Sequence, residues 1–363
     1  MSVKHDPAFW AGRRVLLTGH TGFKGSWLSL WLVQMGAKVT GLSLDADEIS
    51  LFRQARIDAL VDHHVGDIRD IDTVRAVVAS ADPEVVFHLA AQPLVRLSYE
   101  QPVETFATNV QGTVHLLDAC RQAPSLRAVV CITSDKAYEN REWVWPYRES
   151  DPLGGHDPYS ASKGAAELVI AAYRRSFFSA SNGPQVASVR AGNVIGGGDW
   201  AADRLIPDIV RALIAGERPL IRNPASVRPW QHVLEALGGY LLIAEALAAG
   251  EAWAADAWNF GPAQDDTRPV EWIADRMTSA WPAPGWDRPE RPAGPHEANL
   301  LTLDCAKARS ALGWRPVWGL DEALGRIVVW HQEHAGGADA RTVTYRQLAD
   351  YRAGFCQSFP GSL

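Results

Sequence analysis

Cysteine is scarce in this chain, and its spacing is uninformative for metals or disulfides. The 363 residues include four cysteines, Cys120, Cys131, Cys305 and Cys356, and none of them forms a Cys-x-x-Cys pair. This usage is typical of buried, reduced thiols in a cytoplasmic protein. No cluster of histidine and cysteine indicates a metal site. We interpret the adjacent pair His63-His64 as structural, because neighbouring side chains of an extended segment point apart.

Long hydrophobic runs and an excess of positive charge are also missing. The most apolar helical stretch, residues 237–255, is interrupted by Glu245 and Glu251, so it is a poor membrane span. The first residues lack the apolar segment of a signal peptide. The formal net charge is −7, which gives nucleic acid or an anionic membrane no electrostatic reason to bind. We therefore expect a cytoplasmic protein with neither as a partner, and the length suffices for two lobes.

A glycine-rich turn is present near the N-terminus. Gly19, Gly22 and Gly25 follow the apolar run 15–17 at intervals of three, and an apolar pattern at helical spacing begins at Trp27. This pattern predicts a buried strand, a tight turn and a helix. Such glycines let the backbone approach a pyrophosphate, to which the helix N-terminus offers free N–H groups. The spacing differs from the usual Gly-x-Gly-x-x-Gly, and glycines also punctuate ordinary turns.

Strands and helices alternate through the first half of the chain. The predicted strands cover residues 14–18, 38–43, 64–65, 84–90, 128–133 and 187–191. This repetition predicts a doubly wound α/β fold of the Rossmann type, a parallel sheet with helices on both faces and ligands at the carboxyl ends of its strands. After Gly192 the pattern changes, and proline and tryptophan become dense. We predict a dinucleotide-binding domain over 1–191 and a smaller, mostly helical substrate-binding lobe over 192–363, with a helix at 233–248 returning to the first domain.

A tyrosine and a lysine, Tyr159 and Lys163, are four residues apart in a predicted helix. That spacing puts them on one face, a single turn apart. The lysine charge is expected to lower the pKa of the phenol, so that Tyr159 takes a proton from a sugar hydroxyl while hydride leaves its carbon. Lys163 can also hold a nicotinamide ribose. An amphipathic surface helix would show the same spacing, but this pair follows soon after a second group of reactive side chains.

That second group, Ser134, Asp135 and Lys136, comes just after the apolar run 128–131. Ser134 can hydrogen-bond a substrate hydroxyl, Asp135 can give a proton, and Lys136 can take one. A serine or aspartate here would also serve as an ordinary helix cap. The position at the carboxyl end of a predicted parallel strand favours a catalytic role.

These motifs together resemble those of the extended short-chain dehydrogenase/reductases. The residues that carry the resemblance are the glycine turn, Gly66-Asp67-Ile68, His88-Leu89-Ala90-Ala91, Asn109, Thr133-Ser134 and Tyr159-x-x-x-Lys163. Longer strings in both predicted lobes are similar to those of nucleotide-sugar 4,6-dehydratases that act on CDP-glucose. They include residues 19–27, 91–96, 133–136, 139–143, 192–200 and 228–232.

The resemblance implies a bound NAD that is reduced and then reoxidised within one turnover, with CDP-glucose as the substrate and no metal. Tyr159 would deprotonate the C4 hydroxyl, Asp135 would protonate the C6 hydroxyl as it leaves, and Lys136 would remove the C5 proton. The product would be CDP-4-keto-6-deoxyglucose, of the kind that feeds deoxysugars of bacterial surface polysaccharide such as lipopolysaccharide O-antigen. Dehydratases that act on dTDP-glucose carry glutamate where this chain has Lys136, and a lysine can serve as base only when its amine is neutral.

The resemblance also implies two sets of binding residues. Those expected to contact NAD are Gly19, Thr21, Gly22, Phe23, Lys24, Gly25, Ser43, Asp67, Ile68, Leu89, Ala90, Ala91, Thr108, Thr133, Tyr159 and Lys163. Those expected to contact the substrate are Gln92, Arg96, Asn193, Arg204 and Arg228, with the arginines suited to a pyrophosphate. Trp200 and Trp230 are candidates either for stacking on the base or for core packing.

The choice of NAD depends on the end of the second predicted strand. Ser43 stands where an acidic residue would bond the ribose hydroxyls, and Asp45 follows two residues later. No arginine or lysine directly follows Ser43 to receive the 2′-phosphate of NADP. The sequence therefore favours NAD, held more loosely than usual.

Three other functions share part of this pattern. A nucleotide-sugar 4-epimerase would keep the glycines, Tyr159 and Lys163 but would not need Asp135 and Lys136. A GDP-mannose dehydratase would prefer NADP and a glutamate after the serine. A dinucleotide-sensing regulatory protein would keep the glycine turn and lose the catalytic pair. We also expect a homo-oligomer, a dimer or tetramer, that pairs through the predicted helices 109–121 and 160–178.

Overall fold

The central sheet of the protein is built from parallel strands. The computed structural model describes residues 5–180, 183–263, 266–281, 285–289 and 301–358. Its strands are β1 (Arg14–Thr18), β2 (Lys38–Ser43), β3 (Asp62–Val65), β4 (Val85–His88), β5 (Ala128–Ile132), β6 (Gln185–Ala191), β7 (Asn193–Ile195), β8 (Val227–Arg228), β9 (Trp230–His232), β10 (Ala257–Phe260) and β11 (Arg268–Pro269). Among the described residues, seven of these form one sheet in the order β10-β6-β5-β4-β1-β2-β3. The predicted doubly wound parallel sheet is confirmed.

Helices cover both faces of this sheet. They are α1 (Phe23–Gln34), α2 (Leu51–Gln54), α3 (Ile71–Ala81), α4 (Val95–Glu100), α5 (Pro102–Phe106), α6 (Gly112–Cys120), α7 (Pro158–Phe177), α8 (Leu205–Ile214), α9 (Val233–Ala248), α10 (Val270–Ser279), α11 (Ala306–Ala311), α12 (Leu320–Ala335) and α13 (Ala340–Ser358). A π-helical segment, Ala107–Gln111, directly precedes α6. The inner strands β4, β5 and β6 are buried along their whole length, and the sequences of β4 and β5 are correspondingly almost all apolar.

Two apolar cores lie on the two faces of the sheet. One contains α1 and α9 with large side chains such as Trp27, Trp31 and Leu237. The other contains α3, α6 and α7 with Val77, Leu117 and other aliphatic side chains. A third core joins α8, α10 and α12 beyond the sheet and forms the centre of the second lobe.

The second half of the chain contributes directly to the sheet. The predicted return helix is α9, which packs against β5 and β6. Strand β10 was not predicted, and it pairs in parallel with β6, with Phe260 opposite Ala191. Helix α13 packs on α1, where the rings of Trp31 and Tyr351 are 5.6 Å apart. Segments on both sides of the proposed boundary at residue 191 therefore share one core.

The contact between α9 and β10 leaves no space at one helical glycine. An ideal β-carbon at Gly239 would lie 2.4 Å from Phe260 Cδ1, whereas one at Gly325 in α12 would meet no atom within 4 Å. We expect Gly239→Ala to lower the free energy of unfolding by about 1–3 kcal/mol through overpacking. Gly325→Ala, the matched control, should raise it by about 0.5–1 kcal/mol through helix propensity. Equilibrium urea denaturation measures both, and equal effects would contradict the packing argument.

Candidate functional site

A large cavity opens at the carboxyl ends of the central strands. Its volume is about 1400 Å³, and its lining comes from both halves of the chain. All the residues predicted to contact the cofactor line it, from Gly19 to Lys163. The reversal of strand order beside β1 lies at this edge, the usual place for ligands on such sheets.

The glycine turn is formed by backbone packed closely on backbone. Gly19 has φ +76°, and a β-carbon there would lie 2.6 Å from the Ala90 nitrogen; one at Gly25 would lie 2.2 Å from the Gly19 oxygen. Helix α1 begins after Gly22, which provides no side-chain cap for the first N–H groups. A narrow turn with uncapped N–H groups at the edge of a cavity fits a pyrophosphate group.

The part of the predicted cofactor region beside the end of β2 is polar. The hydroxyls of Thr21 and Ser43 share a hydrogen bond of 2.7 Å, and both residues line the cavity. Asp45 accepts instead from Arg53 Nη2 at 3.0 Å. The side-chain hydrogen bond from Arg69 lowers the pKa of Asp67, which also lines the cavity.

The segment after β5 brings an acid into the cavity. Ser134 Oγ accepts from the Lys136 N–H at 3.2 Å and caps a short 3₁₀ turn, and it donates to Asp135 Oδ1 at 2.9 Å. The serine is thus both the cap and a cavity residue. Asp135 is only 6% exposed, and burial raises its pKa above the ordinary aspartate value. Its carboxyl group therefore holds a proton more readily than an exposed one, as a general acid must.

Tyr159 and Lys163 lie on the first turns of α7, one turn apart. The helix is capped by Asp157, whose Oδ1 accepts from the Ser160 N–H at 2.9 Å. The predicted lowering of the Tyr159 pKa by Lys163 is wrong for this structure: burial raises that pKa to about 12, although a hydrogen bond with Ser134 opposes the rise. Burial also lowers the pKa of Lys163 to about 8. Loss of hydration outweighs the neighbouring charges for both groups.

A third lysine lies close to this group. Burial, with the nearby charges of Arg204 and Lys163, lowers the pKa of Lys24 to about 8, and Asp135 opposes that shift. Lys136 lines the same cavity. The role of Lys136 as the C5 base remains a prediction.

The substrate residues predicted from the sequence are mostly in the cavity wall. Arg96, Asn193, Arg204 and Arg228 line it, and Gln92 is absent from that lining. The Gln92 amide instead donates to Thr105 Oγ1 at 2.9 Å and to the Leu94 carbonyl at 3.1 Å, which closes its own loop. The expectation that Gln92 faces the substrate thus lacks support from its contacts.

Two carboxylates that the sequence reasoning missed accept hydrogen bonds from these arginines. Asp203 accepts from Arg96 Nη1 at 3.0 Å and from Arg222 Nη2 at 3.1 Å, and Asp199 accepts from Arg204 Nη1 at 3.1 Å. Asp199 lies in the string 192–200 and Asp203 in none of the quoted strings, and neither carboxylate was assigned a role from the sequence.

The two candidate stacking residues differ in position. Trp200 packs edge-on against His331 at 5.1 Å and donates to Gln54 Oε1 at 3.0 Å, so its ring is engaged outside the cavity. Trp230 is buried and lines the cavity. Between the two, stacking on a ligand stays open for Trp230 alone.

Metal and membrane features are not found in the described part of the chain. Within it, no group of three or more histidine, cysteine, aspartate or glutamate residues could hold a metal ion. His63 bonds His20 at 2.7 Å and His64 pairs with Asp62 at 3.0 Å, so the adjacent histidines have separate partners. No described helix combines the length and apolar character needed to cross a bilayer.

Known proteins were compared with this chain. The family model for GDP-mannose 4,6 dehydratase matches residues 16–327. A CDP-glucose 4,6-dehydratase of Salmonella typhimurium is 56% identical over 351 residues, which cover 95% of this chain and 98% of that protein. A dTDP-glucose 4,6-dehydratase of Streptomyces antibioticus is 31% identical over 74% of this chain and 76% of its own length.

Solved structures agree with the fold. The structure of DesIV, a dTDP-glucose 4,6-dehydratase from Streptomyces venezuelae with NAD bound, matches with a TM-score of 0.75 and 25% identity over 90% of this chain and 99% of that one. The family model spans both lobes, and the cavity is lined by the glycine turn, Ser134, Asp135, Tyr159 and Lys163, which carry part of the resemblance to this group. The chain therefore belongs to the GDP-mannose 4,6-dehydratase family of extended short-chain dehydrogenase/reductases.

Proposed function

We propose that this protein is an NAD-dependent CDP-glucose 4,6-dehydratase. It converts CDP-D-glucose into CDP-4-dehydro-6-deoxy-D-glucose and water. The observation that carries the proposal is that a buried acid, Asp135, shares one cavity with the glycine turn and with Tyr159 and Lys163. The relative that is 56% identical over nearly its whole length supports the choice of substrate.

The cofactor site fits NAD by its shape and its hydrogen-bonding groups. The glycine turn and the uncapped start of α1 would hold the pyrophosphate, and Ser43 and Asp67 would lie toward the adenosine. No basic residue directly follows Ser43, which favours NAD over NADP. A bound NAD would supply a hydride acceptor for C4 of the glucosyl ring and then a hydride donor for C6.

The chain's own side chains handle the protons. Tyr159 takes the proton of the C4 hydroxyl, and its phenolate needs the positive charge of Lys163 because burial alone disfavours it. The resulting 4-ketone acidifies the C5 proton. We assign the removal of this proton to Lys136, as the sequence analysis does. Asp135 gives its proton to the C6 oxygen as the C–O bond breaks, so one water leaves for each C5–C6 double bond formed.

The substrate would lie between the sheet and the second lobe. Arg228, Arg204 and Arg96 line the cavity, and guanidinium groups suit a nucleotide diphosphate. Lys136, in the place where dTDP-glucose dehydratases have glutamate, favours the CDP sugar. A 4-epimerase is the second candidate, and the burial of Asp135 favours dehydration over it, because epimerisation has no leaving hydroxyl to protonate.

We also propose a cytoplasmic setting for this reaction and a product destined for bacterial surface polysaccharide, as the resemblance implies. The thiols of Cys120, Cys131 and Cys305 are free and buried, as is typical of a reducing compartment. The downstream use of the product is a proposal from the resemblance alone.

A homo-oligomer is the remaining part of the proposal. The sequence predicted this contact through helices 109–121 and 160–178, which correspond to α6 with the π-helical segment before it and to α7. We assign the contact to α7 and to α5, which directly precedes the π-helical segment. Helices α5 and α7 pack side by side and expose large apolar side chains, among them Val103, 77% exposed, and Leu168, 63% exposed. Phe106 and Phe177 on the same helices are partly exposed as well. An apolar face shared by two adjacent helices is typical of an isologous dimer contact.

The reaction is tested first by incubating the purified protein with CDP-glucose and NAD in deuterated water. We expect loss of water and one deuterium at C5 of the product, because the C5 proton exchanges before hydride returns to C6. Mass spectrometry and NMR measure both. Parallel samples with dTDP-, UDP- and GDP-sugars test the nucleotide. Conversion to CDP-galactose would instead identify an epimerase and contradict the role of Asp135.

Asp135→Asn should stop the elimination and spare the oxidation. Asparagine keeps the size of the side chain but has no acidic proton, so we expect the overall kcat to fall by about 10²- to 10⁴-fold. In a single turnover the absorbance of reduced cofactor should still appear and then persist. Asp45→Asn, at an exposed carboxylate bonded to Arg53, is the control and should behave as wild type. Loss of the oxidation step in Asp135→Asn alone would argue against the assigned role.

Leu168→Asp should dissociate the oligomer, because it places a charge in the proposed apolar contact. We expect light scattering coupled to gel filtration to show a smaller particle than wild type. Val144→Asp is the control, since Val144 is 76% exposed on a loop away from α5 and α7. A wild-type monomer, or an unchanged Leu168→Asp particle, would refute this contact.

A further inference from the structure

Glu167 is a buried carboxylate on α7 for which the proposed reaction has no use. Its side chain and that of Arg190, on β6, are each 3% exposed and form a salt bridge of 2.8 Å. Arg190 binds it with two nitrogens, Nε to Oε1 at 2.9 Å and Nη2 to Oε2 at 2.8 Å. Removing two charges from water has a large desolvation cost, so the presence of this buried pair points to a role beyond stability.

Two hydroxyls complete the surroundings of this carboxylate. Thr133 Oγ1 donates to Glu167 Oε1 at 2.5 Å, and Ser188 Oγ donates to Oε2 at 2.7 Å. Thr133 directly precedes Ser134 and Asp135 in the chain. One carboxylate on the helix of Tyr159 and Lys163 therefore also binds the segment that carries the proposed acid.

The hydrogen bonds continue across the sheet on the other side of Arg190. Arg190 Nη1 donates to the Tyr138 hydroxyl at 2.7 Å, and that hydroxyl donates to Asn259 Oδ1 at 2.8 Å. Asn259 belongs to β10. The position of α7 is thus linked through buried contacts to β5, β6 and β10.

Glu167 also lies one helical turn beyond Lys163, on the same face of α7. The other ionisable groups around Lys163 come from neighbouring elements: Cys131 on β5, His88 on β4 and Lys24 on α1. Burial is the main force lowering the pKa of Lys163, and the charge of Glu167 opposes it. Burial would raise the pKa of Glu167 itself, but the hydrogen bonds and charge of Arg190 outweigh it, so Glu167 is ionised.

We propose that Glu167 is a positioning residue that keeps Lys163 charged and holds α7 in place against the Thr133–Asp135 segment. Its effect on turnover rests on the proposed function, whereas the charge of Lys163 is a property of the protein alone. If the charged amine is the form that supports the Tyr159 phenolate, activity falls as pH rises through the pKa of Lys163. Removal of the Glu167 charge then moves this alkaline limit to lower pH.

The test compares three variants with wild type. Glu167→Gln removes the charge and leaves an amide of the same size. Glu167→Gln/Arg190→Gln removes both charges of the pair, which avoids an unpaired buried guanidinium and keeps the experiment possible if the single variant fails to fold. Glu245→Gln is the matched control, because Glu245 is a buried carboxylate far from α7 that accepts from Trp10 Nε1 at 2.6 Å.

The charge of Lys163 is read directly by NMR. The chain has few lysines, so selective carbon-13 labelling of lysine gives a spectrum in which the Cε signals are resolved. The signal that is missing from the spectrum of Lys163→Met is the signal of Lys163. We expect the titration midpoint of Lys163 to fall by about one pH unit, a tenfold change in its ionisation equilibrium, in Glu167→Gln. The fall should be smaller in the double variant, because that variant also removes the positive charge of Arg190. The Glu245→Gln midpoint should equal that of wild type. The pH profile of kcat for CDP-glucose is measured on the same samples.

The outcomes separate the two proposals. A lowered Lys163 midpoint and an equally displaced alkaline limit of kcat support the inference, even if the double variant regains wild-type stability. An unchanged midpoint in every Glu167 variant that folds overturns it and leaves Glu167 a purely structural residue. If wild type does not convert CDP-glucose, the proposed function fails, while the NMR titration still decides whether Glu167 sets the charge of Lys163.

Discussion

Close backbone packing at the glycine turn is the constraint on which the rest of the site depends. Neither Gly19 nor Gly25 has room for a β-carbon, because each lies against the backbone of a neighbouring segment. This packing fixes the start of α1 against the ends of β1 and β4, where the strand order reverses. The next strands across the sheet are β5 and β6. Asp135 follows β5, and α7 with Tyr159 connects β5 to β6, so both groups lie beside the glycine turn.

Burial shifts the pKa values of Asp135, Tyr159 and Lys163 so that the neutral form of each group is favoured. It raises the pKa of Asp135 and of Tyr159 and lowers that of Lys163, so each moves toward its neutral form. A neutral acid suits the protonation of a leaving hydroxyl, but a neutral lysine does not suit a phenolate. The site therefore needs a negative charge close to the lysine and shielded from water, and Glu167 is a buried carboxylate in that position.

Features set by local sequence were predictable. The bounds of β1 and β2 and of helix α9 match the structure, and the residues expected around the cofactor all line one cavity. The pKa of Tyr159 was not predictable, because it depends on burial by segments that are far away in the chain. Gln92 matched a motif, yet its amide is used to close its own loop. Strand β10 has only four residues, and the strand–helix alternation that predicted the other strands does not extend to it.

The network around Glu167 shows the same limit. The spacing of Glu167 after Lys163 is visible in the sequence, but its partners lie elsewhere in the chain: Thr133 directly after β5, and Ser188 and Arg190 on β6. Only the pairing of β5 with β6 brings those partners together. Sequence patterns therefore locate single functional groups more readily than the contacts that hold them.

The late strand β10 has a consequence for how the protein is made. Asn259 on this strand takes part in the buried hydrogen bonds that link it to Glu167, and α13 covers α1 from near the C-terminus. The ribosome releases the glycine turn and the Tyr159 helix well before these segments. Since domains fold as units during synthesis, the growing chain has an incomplete sheet until β10, which lies in the second half of the chain, has also been made. A chain that ends before residue 257 thus lacks one strand of the sheet at whose edge the whole site lies.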